Sequence, residues 1–266
     1  MQYNLNASRV PPWLRFPYIE SGYRLGGTYS DGILSLFKIH NEWLNAWTMI
    51  AANVISTVLF LLHVKNTIDP LNEIEQCPNV SIISAIGPFA VLWISALIHL
   101  PFSLGYHLFM PISREVFELW RKLDFYMIFA SSLLLAISLG TSVDPWWFGW
   151  VNAIPIVFIA CDAILFSERK YDRSKQTKQV GMAVVFYLIP MIIQTNNEYT
   201  SANEIFYAMG AIASLTIGAV AYAFSIPECF SPGTFDLFGN SHHLMHLSIL
   251  AAHVCEFGFL LERSSK

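Results

Sequence analysis

Charge is what this chain lacks most: Asp, Glu, Lys and Arg make up 13% of its 266 residues, where a soluble domain carries about a quarter. So little polar surface cannot cover a water-facing globule. A soluble enzyme, a nucleic-acid binder and a disordered scaffold are therefore all excluded. Cysteine is sparse too. Cys77, Cys161, Cys229 and Cys255 stand far apart with no CxxC pair, which argues against a disulfide framework or a thiolate zinc site. The first 40 residues hold Pro11, Pro12 and Pro17 but no apolar core of a leader, so no cleavable signal peptide is expected. No internal repeat or low-complexity stretch is visible.

What is present is long apolar sequence. Hydrophobic residues reach 55%, and the mean hydropathy is +0.48. Apolar windows at 44–64, 81–107, 123–140, 147–166, 180–194, 205–224 and 241–261 predict seven spans, since about 20 apolar residues cross a bilayer core. The fifth is short. Polar or Pro/Gly-bearing connections at 65–79, 110–122, 141–145, 167–179, 195–204 and 225–240 separate them. The expected fold is an all-α integral membrane protein, a seven-transmembrane helix bundle spanning 44–262. An N-terminal arm at 1–43 precedes it and a short tail at 263–266 follows it.

Lys and Arg near span ends stay in the cytoplasm. Arg9, Arg15, Arg24 and Lys38 lie in the arm, Arg114, Arg121 and Lys122 in the second connection, and Arg169, Lys170, Arg173, Lys175 and Lys178 in the fourth. The opposite side holds only Lys65, Arg263 and Lys266. This distribution predicts a cytoplasmic N-terminus and an outside C-terminus. The sequon Asn79-Val80-Ser81 then falls outside, next to the second span, and Asn6-Ala7-Ser8 falls inside.

That orientation brings histidines to one depth. The second span ends at the cytoplasmic face with His107, the third begins there with Asp124, and the seventh begins there with His242 and His246. Residues four apart share a helix face. Three imidazoles and a carboxylate thus share one layer, a set that suits a metal and most readily zinc. Ser103, one turn before His107, and Asp124 are candidates to hold a water or orient a ligand. The plainer alternative is histidines bonded to lipid phosphate or to a neighbouring carbonyl. His99 lies about 12 Å deeper along the second span and is expected to be a packed or hydrogen-bonded core residue, as are His63 and His253. Asp162, near the inner end of the fourth span, is expected to pair with Arg169 by reaching to the interface.

Several ordered motifs resemble the progestin and adipoQ receptor family, which includes adiponectin receptors, membrane progestin receptors and haemolysin III-like proteins. They are Tyr18-Ile19-Glu20-Ser21-Gly22-Tyr23-Arg24, and Ser35-Leu36-Phe37-Lys38-Ile39-His40-Asn41-Glu42 with Asn45-Ala46-Trp47-Thr48. Further on come Ser103-x3-His107, Leu123-Asp124-Phe125, Ile226-Pro227-Glu228, Pro232-Gly233-x-Phe235-Asp236 and Ser241-His242-x3-His246. Met49, Phe125 and His243 depart from the residues common in that family, and His243 offers an alternative metal contact. The resemblance implies seven spans with a cytoplasmic N-terminus. It also implies zinc on His107, His242 and His246, with Asp124 acting through water.

Two functions follow from that resemblance. One is a receptor whose hormone or lipid ligand biases the bundle, in a plasma membrane or endomembrane, towards an unidentified cytoplasmic signalling partner. The other is a zinc-dependent lipid amidase of the ceramidase type, with Asp124 and Ser103 as its catalytic residues. Zinc would lower the pKa of bound water and polarise the amide carbonyl, and Asp124 would relay the proton. A purely structural zinc joining the second and seventh spans is the third option. No nucleic-acid partner is expected.

Overall fold

The computed structural model describes residues 1–73, 82–167 and 173–265. Two short antiparallel strands, β1 (Gln2–Leu5) and β2 (Tyr23–Leu25), pair near the N-terminus. Eight α-helices follow among the described residues: α1 (Tyr29–Ser35), α2 (Trp43–Glu73), α3 (Ile82–Phe109), α4 (Arg114–Thr141), α5 (Phe148–Ser167), α6 (Arg173–Thr195), α7 (Ala202–Phe224) and α8 (Ser241–Ser264). Each of α2 to α8 is long and apolar enough to cross a membrane. Val58, Phe158, Val185, Phe206 and Ile217 are exposed on these helices. Such a surface is unfavourable in water and required in hydrocarbon, where only a helix satisfies its own backbone.

The helices outrun the apolar windows. α2 reaches Glu73, α4 begins at Arg114 and α6 begins at Arg173. Hydropathy registers only the part in hydrocarbon, whereas helical hydrogen bonding continues through the charged turns beyond it. The span that looks short by hydropathy is therefore a 23-residue helix. Lys175 and Lys178 lie on that helix and not in a connection. Its early start puts Lys175 Nζ 3.1 Å and Gln179 Nε2 2.6 Å from Asp162 Oδ2. Arg169, Lys170, Cys77 and the Asn79-Val80-Ser81 sequon lie outside the described residues.

The chain divides into two compact units. One comprises Met1–Ala52, His99–Met127 and Ala213–Leu250. Its N-terminal residues are folded: Val10, Leu14, Ile19 and Tyr23 pack with Tyr106, Met110 and Phe117. The Tyr23 hydroxyl donates to Ile19 O at 3.0 Å and accepts from Phe16 N at 2.9 Å. Asp236 accepts from Glu20 N at 2.9 Å and from Ser21 Oγ at 2.6 Å. Two of the sequence motifs thus hold each other across 216 residues of chain.

The other unit comprises Asn53–Ile98, Ile128–Ile212 and Ala251–Lys266. Here the His63 ring stacks on Phe89, with centroids 3.6 Å apart, and its Nε2 lies 3.1 Å from Ala85 O. His253 Nδ1 lies 2.6 Å from the buried Glu256 carboxylate. Ser201 and Glu204 cap α7 reciprocally, Ser201 N donating to Glu204 Oε2 at 2.7 Å and Glu204 N to Ser201 Oγ at 3.1 Å. This is a capping box at the start of an apolar run.

Candidate metal centre

Helix ends set this site. α3 closes just after His107, and the buried Arg24 guanidinium sits on its last carbonyls, donating to His107 O at 2.5 Å and to Leu108 O at 3.4 Å. It also donates to Ser35 Oγ. A cation bonded to terminal carbonyls suits the negative end of a helix. Burial lowers Arg24 to about 10, countered by the neighbouring Glu42 charge, so it remains a cation at neutral pH.

α8 opens next to the same place. Asn240 Oδ1 accepts from the backbone N–H groups of His242 and His243, each at 3.1 Å. The buried Glu228 accepts from Ser241 N at 2.7 Å and from Ser241 Oγ. Both side chains satisfy the free donors of a helix N-terminus. They fix where α8 starts, and therefore where His242 and His246 point.

His107, His242 and His246 come together. Their ring centroids are 5.1 Å apart for His107–His242, 5.1 Å for His107–His246 and 5.0 Å for His242–His246. One nitrogen from each lies within 4.8 Å of the others, so this group could hold a metal ion. His107 Nε2 and His246 Nδ1 are buried with no hydrogen-bond partner among the described residues. A buried polar atom left unpaired costs about 1–3 kcal/mol. Coordination of a cation would remove that cost, and neutral imidazoles are good ligands for zinc and its neighbours. The donor set therefore fits a divalent transition metal.

The surrounding polar groups are ordered. Glu42 Oε2 lies 2.7 Å from His107 Nδ1 and accepts from Asn45 Nδ2 at 2.8 Å. Burial pushes the Glu42 carboxyl up, but the His107 hydrogen bond and charge, together with His242 and the Asn45 amide, bring it down to about 2. His40 Nδ1 accepts from Glu42 N at 3.1 Å. His99 Nε2 donates to Asp124 Oδ1 at 2.9 Å. Ser103 is buried one turn before His107. His243 is buried, with its Nδ1 3.3 Å from Asn240 N, and is not in the three-histidine group.

Sequence reasoning treated His99 as a core residue, and it is indeed hydrogen-bonded. Its partner is Asp124, from the carboxylate layer. Glu42 and Arg24 were quoted as motif residues without a role. The signal was available for Glu42: a carboxylate abutting an apolar span needs a partner.

Residues 37–257 match the family model described as Haemolysin-III related. The chain is 26% identical to the ADIPOR-like receptor IZH2 of Saccharomyces cerevisiae, over 95% of this chain and 81% of that protein. It is 24% identical to the adiponectin receptor protein of Drosophila melanogaster, over 91% of this chain and 55% of that protein. It is 22% identical to membrane progestin receptor alpha of Homo sapiens, over 93% and 73% respectively. The family match takes in all seven membrane-crossing helices to within the last turns of α8, with the three-histidine group inside it. The chain belongs to the haemolysin-III related, progestin and adipoQ receptor family of multi-pass integral membrane proteins.

Proposed function

We propose that this protein is a seven-span receptor for a hormone or lipid signal, with its N-terminus in the cytoplasm and zinc held by His107, His242 and His246. The observation that carries the reading is the likeness along more than nine-tenths of the chain to proteins named as receptors for adiponectin and progestins. The zinc assignment draws on the two buried, unpartnered imidazole nitrogens and on the preference of such sites for three protein ligands. Bound there, zinc would tie the end of α3 to the start of α8 and would act as a Lewis acid towards an oxygen ligand. A signal that changes how α3 and α8 pack would then be felt at the metal.

Detergent-purified protein is expected to carry about one zinc per chain, and the variant with alanine at all three histidines to carry none. Membranes containing the wild type are expected to bind radiolabelled progestin or an adiponectin-type hormone saturably. Absence of saturable binding of either would remove the hormone-receptor reading. The hydrolytic alternative rests on Asp124, held by His99. It is checked in the same preparation by comparing ceramide turnover in wild type and Asp124→Asn.

A further inference from the structure

We propose that Glu42 is a positioning residue of the metal centre: its carboxylate holds His107 as the Nδ1–H tautomer and so aims the Nε2 lone pair at the ion. The inference rests on the zinc reading above and concerns a residue outside the three-histidine group. An ionised carboxylate can only accept hydrogen bonds. With Glu42 Oε2 2.7 Å from His107 Nδ1, the ring proton must sit on Nδ1. Nε2 is then a bare lone pair, and it is the buried His107 atom that lacks a hydrogen-bond partner among the described residues. The other tautomer would set two acceptors against each other.

The carboxylate is itself held. Asn45 Nδ2 donates to the same oxygen at 2.8 Å, and the Glu42 backbone N–H is bonded to His40 Nδ1. The carboxylate therefore cannot swing away from His107 without also breaking the Asn45 contact. On the opposite side of the peptide, Arg24 holds His107 O at 2.5 Å. Ring and backbone of one ligand are thus gripped by two residues that precede α2 in the chain. Partners of this kind, bonded to the far nitrogen of a ligating imidazole, raise its basicity and fix its orientation.

The test is zinc affinity by chelator competition on detergent-purified full-length protein, with the visible spectrum of the cobalt(II)-loaded form as a second readout. Glu42→Gln keeps the shape and an acceptor oxygen but loses the charge. Its zinc affinity is expected to fall about 10–100-fold, and its cobalt spectrum to shift, while metal-free thermal melting stays at the wild-type value. Unchanged affinity and spectrum in this variant would assign Glu42 to fold stability alone and overturn the inference. If Glu42→Gln does not fold, Asn45→Ala serves instead. It frees the carboxylate and is expected to weaken zinc several-fold, and again no change overturns the proposal. Wild type that binds neither metal sinks the zinc reading itself, an outcome distinct from equal binding by wild type and variant.

Discussion

His40 shows how one buried side chain ties stability to pH. Its ring has no exposure to solvent, and its Nδ1 accepts the Glu42 backbone N–H. Burial first, then the nearby Arg24 charge, lowers it from 6.5 to about 3, against an opposing pull from Glu42. Between those values the unfolded chain takes up a proton that the native chain refuses, so stability rises with pH across the window and is lost as pH falls. Melting temperature is expected to drop more steeply from about pH 7 to about pH 4 in wild type than in His40→Asn, whose amide oxygen keeps the acceptor without the titration. Parallel curves would remove His40 as the source. At this scale the histidine ligand candidates were legible in the sequence, because a four-residue spacing and a common depth are local facts. The Glu42–His107 contact joins residues 65 apart, and only packing reveals it. The hydrogen-bonded state expected of His99 is what the structure has, but its partner was not readable. Distance along one helix was used where the neighbouring helix, carrying Asp124, decided the partner.

Helix α6 illustrates what an element needs beyond hydropathy. Pro190 interrupts it, removing the N–H that would have bonded to the carbonyl of Phe186 four residues earlier. In hydrocarbon that carbonyl has no water to turn to. The Asn152 side chain, from α5, donates to it instead. Asn152→Ala should therefore cost about 1–3 kcal/mol, the penalty of an unsatisfied buried acceptor. In a Pro190→Ala background the backbone donor returns and the same substitution should cost much less, a coupling that melting temperatures of the four proteins would measure. Additive effects would mean that Asn152 acts elsewhere. The existence of such helices was readable from apolar length, but their ends were not, since charged turns at 114–122 and 173–179 look like connections to a hydropathy window. β1, β2 and α1 were unread for another reason. Strands of four and three residues and a seven-residue helix carry too little periodicity to register; the strands are held where the N-terminal segment packs on Tyr106, Met110 and Phe117, and Tyr29 of α1 lies against Phe109.

For the whole molecule, the decisive quantity is which side of the membrane the three-histidine group faces. The unit that holds His107, His242 and His246 also holds Met1–Ala52 and the 225–240 connection, so one orientation assignment covers them together. Basic residues determine it. Twelve of the fifteen Lys and Arg belong to the arm and to the second and fourth connections or their flanking helical turns, a bias that predicts a cytoplasmic place for those segments. Ser231 and Tyr199 are exposed and lie in the sixth and fifth connections. A membrane-impermeant maleimide added to intact cells is expected to label Tyr199→Cys at once and Ser231→Cys only after permeabilisation. Asn6-Ala7-Ser8 should remain without a glycan. The reverse labelling would place the histidines on the outer face. A hormone arriving from outside would then meet the metal directly, and the route from ligand to cytoplasm would have to run through the other ends of the same helices. With the expected pattern, the receptor reading proposed above would have an outside hormone act through α3 and α8 on a metal it does not touch. On that reading, the His107, His242 and His246 variants are expected to uncouple signalling while leaving hormone binding intact.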